Sequence, residues 1–272
     1  MQCYIINLDR APERMHRISE LLQSYSANFI RHPATDGAQF TKDEIALYRS
    51  KRTQGKPLTT GEIACSESHL AIYRQIVASA DDYAIVMEDD LHLSNDTSDF
   101  INSTDWIPQG AEIIKLETVD EPTLISTRTI KTKNNRELGQ LYYKHWGSGA
   151  YVISKSAAQK MLDQYIPGST PIDDYLFDPS VAQFSLWQLQ PAIAIQDVIL
   201  TRCSTANAPY LTSEIEIERQ KEPQSKRRKI GLRALAKRET IRLIRKSSNR
   251  LKFFWGIHIS KNIAKKKISF RL

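Results

Sequence analysis

Short apolar runs alternate with amphipathic stretches through the first half of the chain. Cys3–Leu8 is an unbroken, isoleucine-rich run and predicts a buried strand. Asp9 and Arg10 then precede Ala11-Pro12, and proline is accepted in the first turn of a helix. Met15, Ile18, Leu21, Leu22 and Tyr25 recur on one face of that helix. A second strand is expected near Asn28–His32, closed by the turn signal Asp36-Gly37. Thr41–Ser50 reads as a modest helix, and polar Lys51–Leu58, with Gly55 and Pro57, as a loop. Thr59-Thr60-Gly61-Glu62 fits a capping box, so a helix should start there and run to about Ser79. Tyr83–Met87 is another apolar strand, and it ends abruptly in Glu88-Asp89-Asp90. Further on, Ala111–Leu116 predicts a strand, and Tyr142–Ile153 is strand-like but broken by Trp146-Gly147-Ser148-Gly149. Ser154 caps a helix through Ala157, Met161 and Leu162. Pro171-Ile172-Asp173-Asp174 opens a short element, and Leu186–Leu200 reads as strand and turn around Pro191. No repeat is visible. Strands alternating with helices predict an α/β domain on a mostly parallel sheet.

Charge divides the chain. Residues 1–225 hold 21 Lys and Arg against 30 Asp and Glu, a net of −9, whereas residues 226–272 hold 17 against the single Glu239, a net of +16. The basic character therefore belongs to a tail, 226–272, appended to an acidic body, 1–225. In the tail Ile230, Ala234, Ile241, Ile244 and Leu251 form a rough apolar stripe among basic residues, followed by Phe253-Phe254-Trp255. That pattern suits an amphipathic helix lying on an anionic membrane surface; a solvated arm is the plain alternative. The acidic body argues against nucleic acid as a partner. Cys3, Cys65 and Cys203 are far apart with no CxxC spacing, which argues against a zinc site or a disulfide framework and for a reducing compartment. No secretory signal is visible, and no apolar run approaches the ~18 residues of a spanning helix. The expectation is a cytoplasmic protein, peripheral on the inner face of the cytoplasmic membrane.

The acidic triplet is the strongest chemical signal. Side chains alternate along a strand, so Glu88 and Asp90 should share one face and Asp89 the other. The carboxyl end of a buried strand is where α/β sheets bind ligands, and neighbouring carboxylates repel unless a cation joins them. Mg²⁺ or Mn²⁺ holding a nucleotide diphosphate fits; a solvated acidic turn is the bland alternative. Asp173-Asp174 is a second acidic pair, able to supply a base, although aspartates at a helix N-terminus are commoner as caps. Gly147 and Gly149 allow close approach of a ligand or of a neighbouring backbone. Trp146 offers a stacking wall for a sugar, or simply core packing. Asn7, Arg10 and Arg14 follow the first strand, where an arginine fork matches phosphate; for Arg14 an exposed helical position is the simpler expectation. His69, alone on a helix, reads as a packed residue.

Five blocks in order resemble glycosyltransferase family 25, in the manner of bacterial lipooligosaccharide galactosyltransferases. They are Ile5-Ile6-Asn7-Leu8-Asp9-Arg10, Gly61-Glu62-Ile63-Ala64-Cys65-Ser66-Glu67-Ser68-His69, Val86-Met87-Glu88-Asp89-Asp90, His145-Trp146-Gly147-Ser148-Gly149-Ala150-Tyr151-Val152-Ile153-Ser154 and Pro171-Ile172-Asp173. The resemblance implies a GT-A-like α/β fold with a Rossmann-type nucleotide half. It implies a UDP-sugar donor, most simply UDP-galactose, a lipooligosaccharide or related glycan acceptor, and inversion at the sugar carbon. By position Glu88 and Asp90 match the ends of the family's metal motif, for Mn²⁺ or Mg²⁺, and Asp89 matches a ribose or donor-sugar contact. Asn7, Arg10, Trp146 and Gly147 join it as expected donor contacts, and Asp173 or Asp174 is the expected base. UDP-glucose is the alternative donor. From other classes, a nucleotidyltransferase would need a glycine- and lysine-rich loop that residues 9–14 lack, and a non-catalytic sugar- or nucleic-acid-binding protein would not need the acidic triplet.

Overall fold

The computed structural model describes residues 1–52, 55–181, 183–203 and 262–272. In chain order the first part holds β1 (Gln2–Asn7), α1 (Pro12–Ser24), β2 (Phe29–Pro33), α2 (Lys42–Ser50), α3 (Thr60–Ala78) and β3 (Tyr83–Glu88). Short elements follow: β4 (Leu91–Leu93), α4 (Ser98–Ile101), β5 (Ile113–Lys115), β6 (Glu117–Thr118), β7 (Pro122–Ser126), β8 (Ile130–Lys131) and β9 (Glu137–Gln140). The remainder comprises β10 (Ala150–Ser154), α5 (Lys155–Gln164), α6 (Ile172–Phe177), β11 (Leu186–Gln190), β12 (Ala194–Gln196), α7 (Asp197–Cys203) and β13 (Ile263–Lys267).

The α/β class holds, but the sheet is mixed where a mostly parallel one was expected. Eight strands run in the order β2-β1-β3-β10-β5-β11-β9-β8. β2, β1 and β3 are mutually parallel and make the Rossmann-type half. β10 then enters antiparallel between β3 and β5, and β9 lies antiparallel to β11. The parallel end comes from the region where strands and helices alternate, because a parallel return needs a crossover helix. Beyond residue 111 both senses occur: β8 and β9 form an antiparallel pair, while β11, reached through α5 and α6, lies parallel to β5.

Strand alternation sorts the core into two layers. Cys3, Ile5, Ile85 and Met87 face α1 through Ile18 and Leu22. Tyr4, Ile6, Ala84 and Val86 face α3 and α5 through Ile72, Ile76, Ala157 and Met161. The expected helix starts at Thr59 and Ser154 are realised. The Thr59 hydroxyl accepts from the Glu62 amide at 3.1 Å and the Glu62 carboxylate accepts from the Thr59 amide at 2.8 Å, while the Ser154 hydroxyl accepts from the Ala157 amide at 3.1 Å. α1 starts slightly later than expected, at Pro12, with no side-chain cap.

The basic stretch 226–261 lies outside the described residues. Residues 262–272 are not a separate tail: β13 pairs antiparallel with β7, Ile268 is buried, and the Ile268 carbonyl accepts from the Thr118 hydroxyl at 2.6 Å. Residues 265–267 are three consecutive lysines. They form a strand because pairing uses the main chain and leaves their side chains exposed. No helix among the described residues is long and apolar enough to cross a membrane.

Candidate active site

An open cleft lies at the carboxyl end of the parallel strands. Ile6 and Leu8 form its floor, Arg10 and Arg14 one side, Gly61, Ala64, Cys65 and Ser68 of α3 the other, and Glu88, Asp89 and Asp90 its end. α3 runs antiparallel to β3, so its N-terminus, the positive end of the helix dipole, opens on the cleft. The loop after β2 closes over that end. The Thr35 amide donates to the Ser68 hydroxyl at 2.9 Å, and a Cβ at Gly37 would stand only 2.8 Å from the Thr60 carbonyl, so this close approach needs glycine.

The acidic triplet sits as alternation requires at its first two positions. Glu88, the last residue of β3, is on the α3 face: it accepts from Gln196 Nε2 at 2.9 Å and from the Ser148 hydroxyl at 3.4 Å, and His69 Nε2 is 3.9 Å away. Asp89 lies on the α1 face, accepting from Asn7 Nδ2 at 2.6 Å and from Arg14 at 3.4 Å. Asp90 is buried, and its Oδ1 has no partner. Arg17 clamps the turn, donating to the carbonyls of Asp89 at 3.1 Å and Leu91 at 2.7 Å.

Electrostatics single this triplet out. Burial first, then Asp89 and Asp173, push the Glu88 carboxyl up to about 7. Burial, then Glu88 and Asp89, push Asp90 well above the carboxylate range. Asp89 is raised by burial as well, against the hydrogen bond from Asn7 and the nearby charge of Arg14. Carboxylates crowded out of water and short of positive charge are what a divalent cation relieves, and oxygen donors suit Mg²⁺ or Mn²⁺. The residues present therefore fit such an ion, with Glu88 and the unpartnered Asp90 oxygen as the donors nearest to hand.

The expected donor contacts take varied places. Asn7 is buried and its amide is fully engaged, donating to Ala11 and Asp89 and accepting from Arg31 Nε at 2.9 Å; it holds Asp89 in place. Arg10, half-exposed at the mouth, is paired with Asp36. Trp146 is half-buried, its indole N–H donating to Glu121 at 3.0 Å. Gly147 is buried with a φ of 90°, its amide donating to Asp173 Oδ2 at 3.0 Å. Both acidic residues of 173–174 lie in the first turn of α6, but neither caps it, since Pro171 holds the cap position and no side chain caps the helix, and the two differ. Asp174 is held in an ion pair by Lys144, whereas Asp173 joins the cleft's charges, acting on Glu88, His69 and Lys115.

Several residues of this region sit otherwise than their sequence suggested, or carried no sequence signal. Arg14, expected to be an exposed helical residue, is largely buried against Asp89. Lys115 and Glu117 are both fully buried. The Lys115 ammonium lies 3.2 Å from Glu117, donates to the carbonyls of Trp146 and Gly147, and sits 4.3 Å from the centre of the Phe177 ring. Glu117 accepts from the Gly149 amide at 2.7 Å. The two glycines of the 146–149 loop thus serve the close approach of a carboxylate: a Cβ at Gly149 would stand 2.7 Å from Glu117 Oε2. No periodicity marks such a pair, because a charged residue inside a strand reads locally as a surface position.

Comparison with known proteins gives one family and a group of relatives. Residues 1–176 match the family described as glycosyltransferase family 25 (LPS biosynthesis protein). The lipooligosaccharide biosynthesis protein lex-1 of Haemophilus influenzae is 30% identical over 188 residues, covering 65% of this chain and 61% of that protein. The lacto-N-neotetraose biosynthesis glycosyltransferase LgtE of Neisseria meningitidis is 25% identical over 240 residues, covering 84% of this chain and 85% of the relative. Among solved structures, a glycosyltransferase involved in glycosylation of the major capsid of PBCV-1 aligns with a TM-score of 0.37 at 11% identity, over 75% of this chain and 93% of that one.

Proposed function

The chain belongs to glycosyltransferase family 25, whose profile it matches over residues 1–176, and from that premise we propose that it transfers a hexose from a UDP-sugar to a lipooligosaccharide or related surface glycan, with inversion. The observation that carries this reading is the triplet Glu88-Asp89-Asp90 at the sheet's ligand-binding edge, with Asp89 and Asp90 buried, the Glu88 and Asp90 carboxyls held above the carboxylate range, and one Asp90 oxygen unpartnered. Glu88 and Asp90 would hold Mn²⁺ or Mg²⁺, which supplies charge neutralisation for a departing diphosphate. The α3 N-terminus and Arg10 face the same cleft and complement phosphate charge.

The chain's own residues divide the remaining work. Asn7 and Arg14 aim Asp89, which offers oxygen acceptors to ribose or donor-sugar hydroxyls. Lys115 and Glu117 hold the 146–149 loop, so that Trp146 forms one wall of the sugar site. An acceptor hydroxyl attacks C1 as the C1–O bond to the diphosphate breaks, and a carboxylate takes the hydroxyl proton. Asp173 is favoured over Asp174 for that role, because Lys144 already engages Asp174.

Galactose is the proposed hexose and glucose the alternative. A donor screen with UDP-galactose, UDP-glucose and UDP-N-acetylhexosamines, with and without Mn²⁺, tests the reading. Transfer from UDP-galactose that requires the ion is expected; equal transfer in chelator overturns the cation's role. Work at the inner face of the cytoplasmic membrane, through the basic stretch 226–261, is part of the proposal. Its test replaces lysines and arginines of 226–252 by glutamine, since truncation at 225 would also remove β13. Binding to anionic vesicles should fall, and unchanged binding contradicts the idea.

A further inference from the structure

Beside the acidic triplet, α3 brings a thiol and an imidazole to the same carboxylate. Cys65 and His69 are one turn apart on α3, and both face the end of β3. Cys65 Sγ, a His69 nitrogen and a Glu88 carboxylate oxygen all lie within 4.8 Å of one another. His69 is completely buried, and its Nε2 has no hydrogen-bond partner. The distance from that nitrogen to Glu88 Oε1, 3.9 Å, is too long for a hydrogen bond. An orphaned, fully buried ring nitrogen aimed at a carboxylate and a thiol is costly unless something sits between them. We propose that Cys65, His69 and Glu88 form a second metal site, one for a thiophilic divalent ion of the Zn²⁺ class.

The donor set is the argument. Sulfur and imidazole select zinc-like ions over Mg²⁺ or Mn²⁺, which favour oxygen. Tetrahedral zinc places ligand atoms roughly 3.3–3.8 Å apart, so the three groups need close by only about an ångström. The outer contact is in place: His69 Nδ1 bonds to the Tyr151 hydroxyl at 2.7 Å, and that hydroxyl to Tyr73 at 2.6 Å. This chain allows Nδ1 to carry the ring proton, which leaves the Nε2 lone pair for the ion. On binding, the thiol proton of Cys65 passes to solvent. The cysteine spacing alone argued against zinc; a helix turn plus a strand end supplies the geometry that spacing could not. The site goes beyond the transfer reaction and does not depend on it. One consequence does rest on that reading: an ion here takes Glu88 from the catalytic cation, so Zn²⁺ should inhibit.

The test uses the full chain, reduced and stripped with chelator, titrated with Co²⁺ as a spectroscopic stand-in and with Zn²⁺ in equilibrium dialysis. One Zn²⁺ per chain and a thiolate-to-cobalt charge-transfer band are expected. Cys65→Ser, checked for fold by circular dichroism, should lose the band and weaken Zn²⁺ binding by at least about a hundredfold, since even outer-shell partners of a metal ligand are worth 10–100-fold. Asp90→Asn should keep the band, which separates this site from the catalytic one: loss of transfer in Asp90→Asn without any band in the parent chain would sink this inference alone. A band that survives Cys65→Ser, or no band in the parent chain, overturns the proposal.

Discussion

Two of the charge centres among the described residues are built oppositely. Around Arg136, which is fully buried, every charge is answered. The guanidinium donates to Asp96 at 2.5 and 2.8 Å, to Ser94 at 3.1 Å, and to the carbonyls of Pro191, Ala192 and Arg271 at 2.8–3.1 Å. Burial works against the Asp96 carboxylate, but the bonds from Arg136 and Ser94 outweigh it and hold its pKa below the ordinary value. At residues 88–90 the balance is reversed: three carboxyls lie together, Asp90 Oδ1 is unpartnered, burial raises all three, and repulsion adds to it at Glu88 and Asp90. A satisfied ion pair ties β9 to the chain around β12 and β13. Crowded carboxyls with an unpartnered oxygen, open to a cleft, are what the proposed cation would relieve.

Substitutions should separate the two centres. Asp90→Asn should lower transfer roughly a thousandfold, the several kcal/mol that cation stabilisation of a leaving group supplies. Its melting temperature should hold or rise, because repulsion with Glu88 and Asp89 is relieved. Transfer assays beside thermal melts check this, and a destabilised but active variant would reverse the contrast. Arg136→Met should do the converse, removing about 3 kcal/mol of stability in urea titrations by stranding the Asp96 charge. Adding Asp96→Asn should recover part of that loss.

The sequence revealed the parallel half of this contrast better than the rest. Glu88 and Asp89 fall on opposite faces because β3 is a regular strand, and its alternation is a local property. The starts of α3 and α5 were legible for the same reason, since a cap and its acceptor are three residues apart. The Arg136 centre was not legible. Its partners come from residues 94–96, 191–192 and 271, and nothing local links them. Lys115 and Glu117 were missed likewise, because only the fold shows that they bury against each other and against the 146–149 loop. The short strands β6 to β9, of two to five residues, carry too few positions for a period to show.

A pH-dependent effect bears on the same loop. Burial first, then the charge of Lys115, hold His145 down to about 3, against the hydrogen bond with Gln188. A pKa depressed on folding means that the folded state resists protonation. Its contribution is therefore complete above about pH 6.5 and is lost as pH falls from there toward 3, at about 1.4 kcal/mol per pH unit. His145→Asn should flatten that acid limb in urea titrations between pH 4 and 6.5; an unchanged slope would contradict a buried neutral histidine. Smaller again, Gly149→Ala should cost about 1 kcal/mol by crowding Glu117, and Glu117→Ala in the same chain should make the pair less than additive.

The central claim is that residues 88–90 bind a cation and, through it, a nucleotide diphosphate. Calorimetric titration of UDP into the chelator-stripped chain, with and without Mn²⁺, tests it most directly, in the parent and in Asp90→Asn. The account predicts UDP binding that tightens at least about tenfold with Mn²⁺ in the parent, worth about 1.4 kcal/mol, and no gain in the variant. Equal UDP affinity with and without the ion in the parent chain, or the same gain in both proteins, would contradict it.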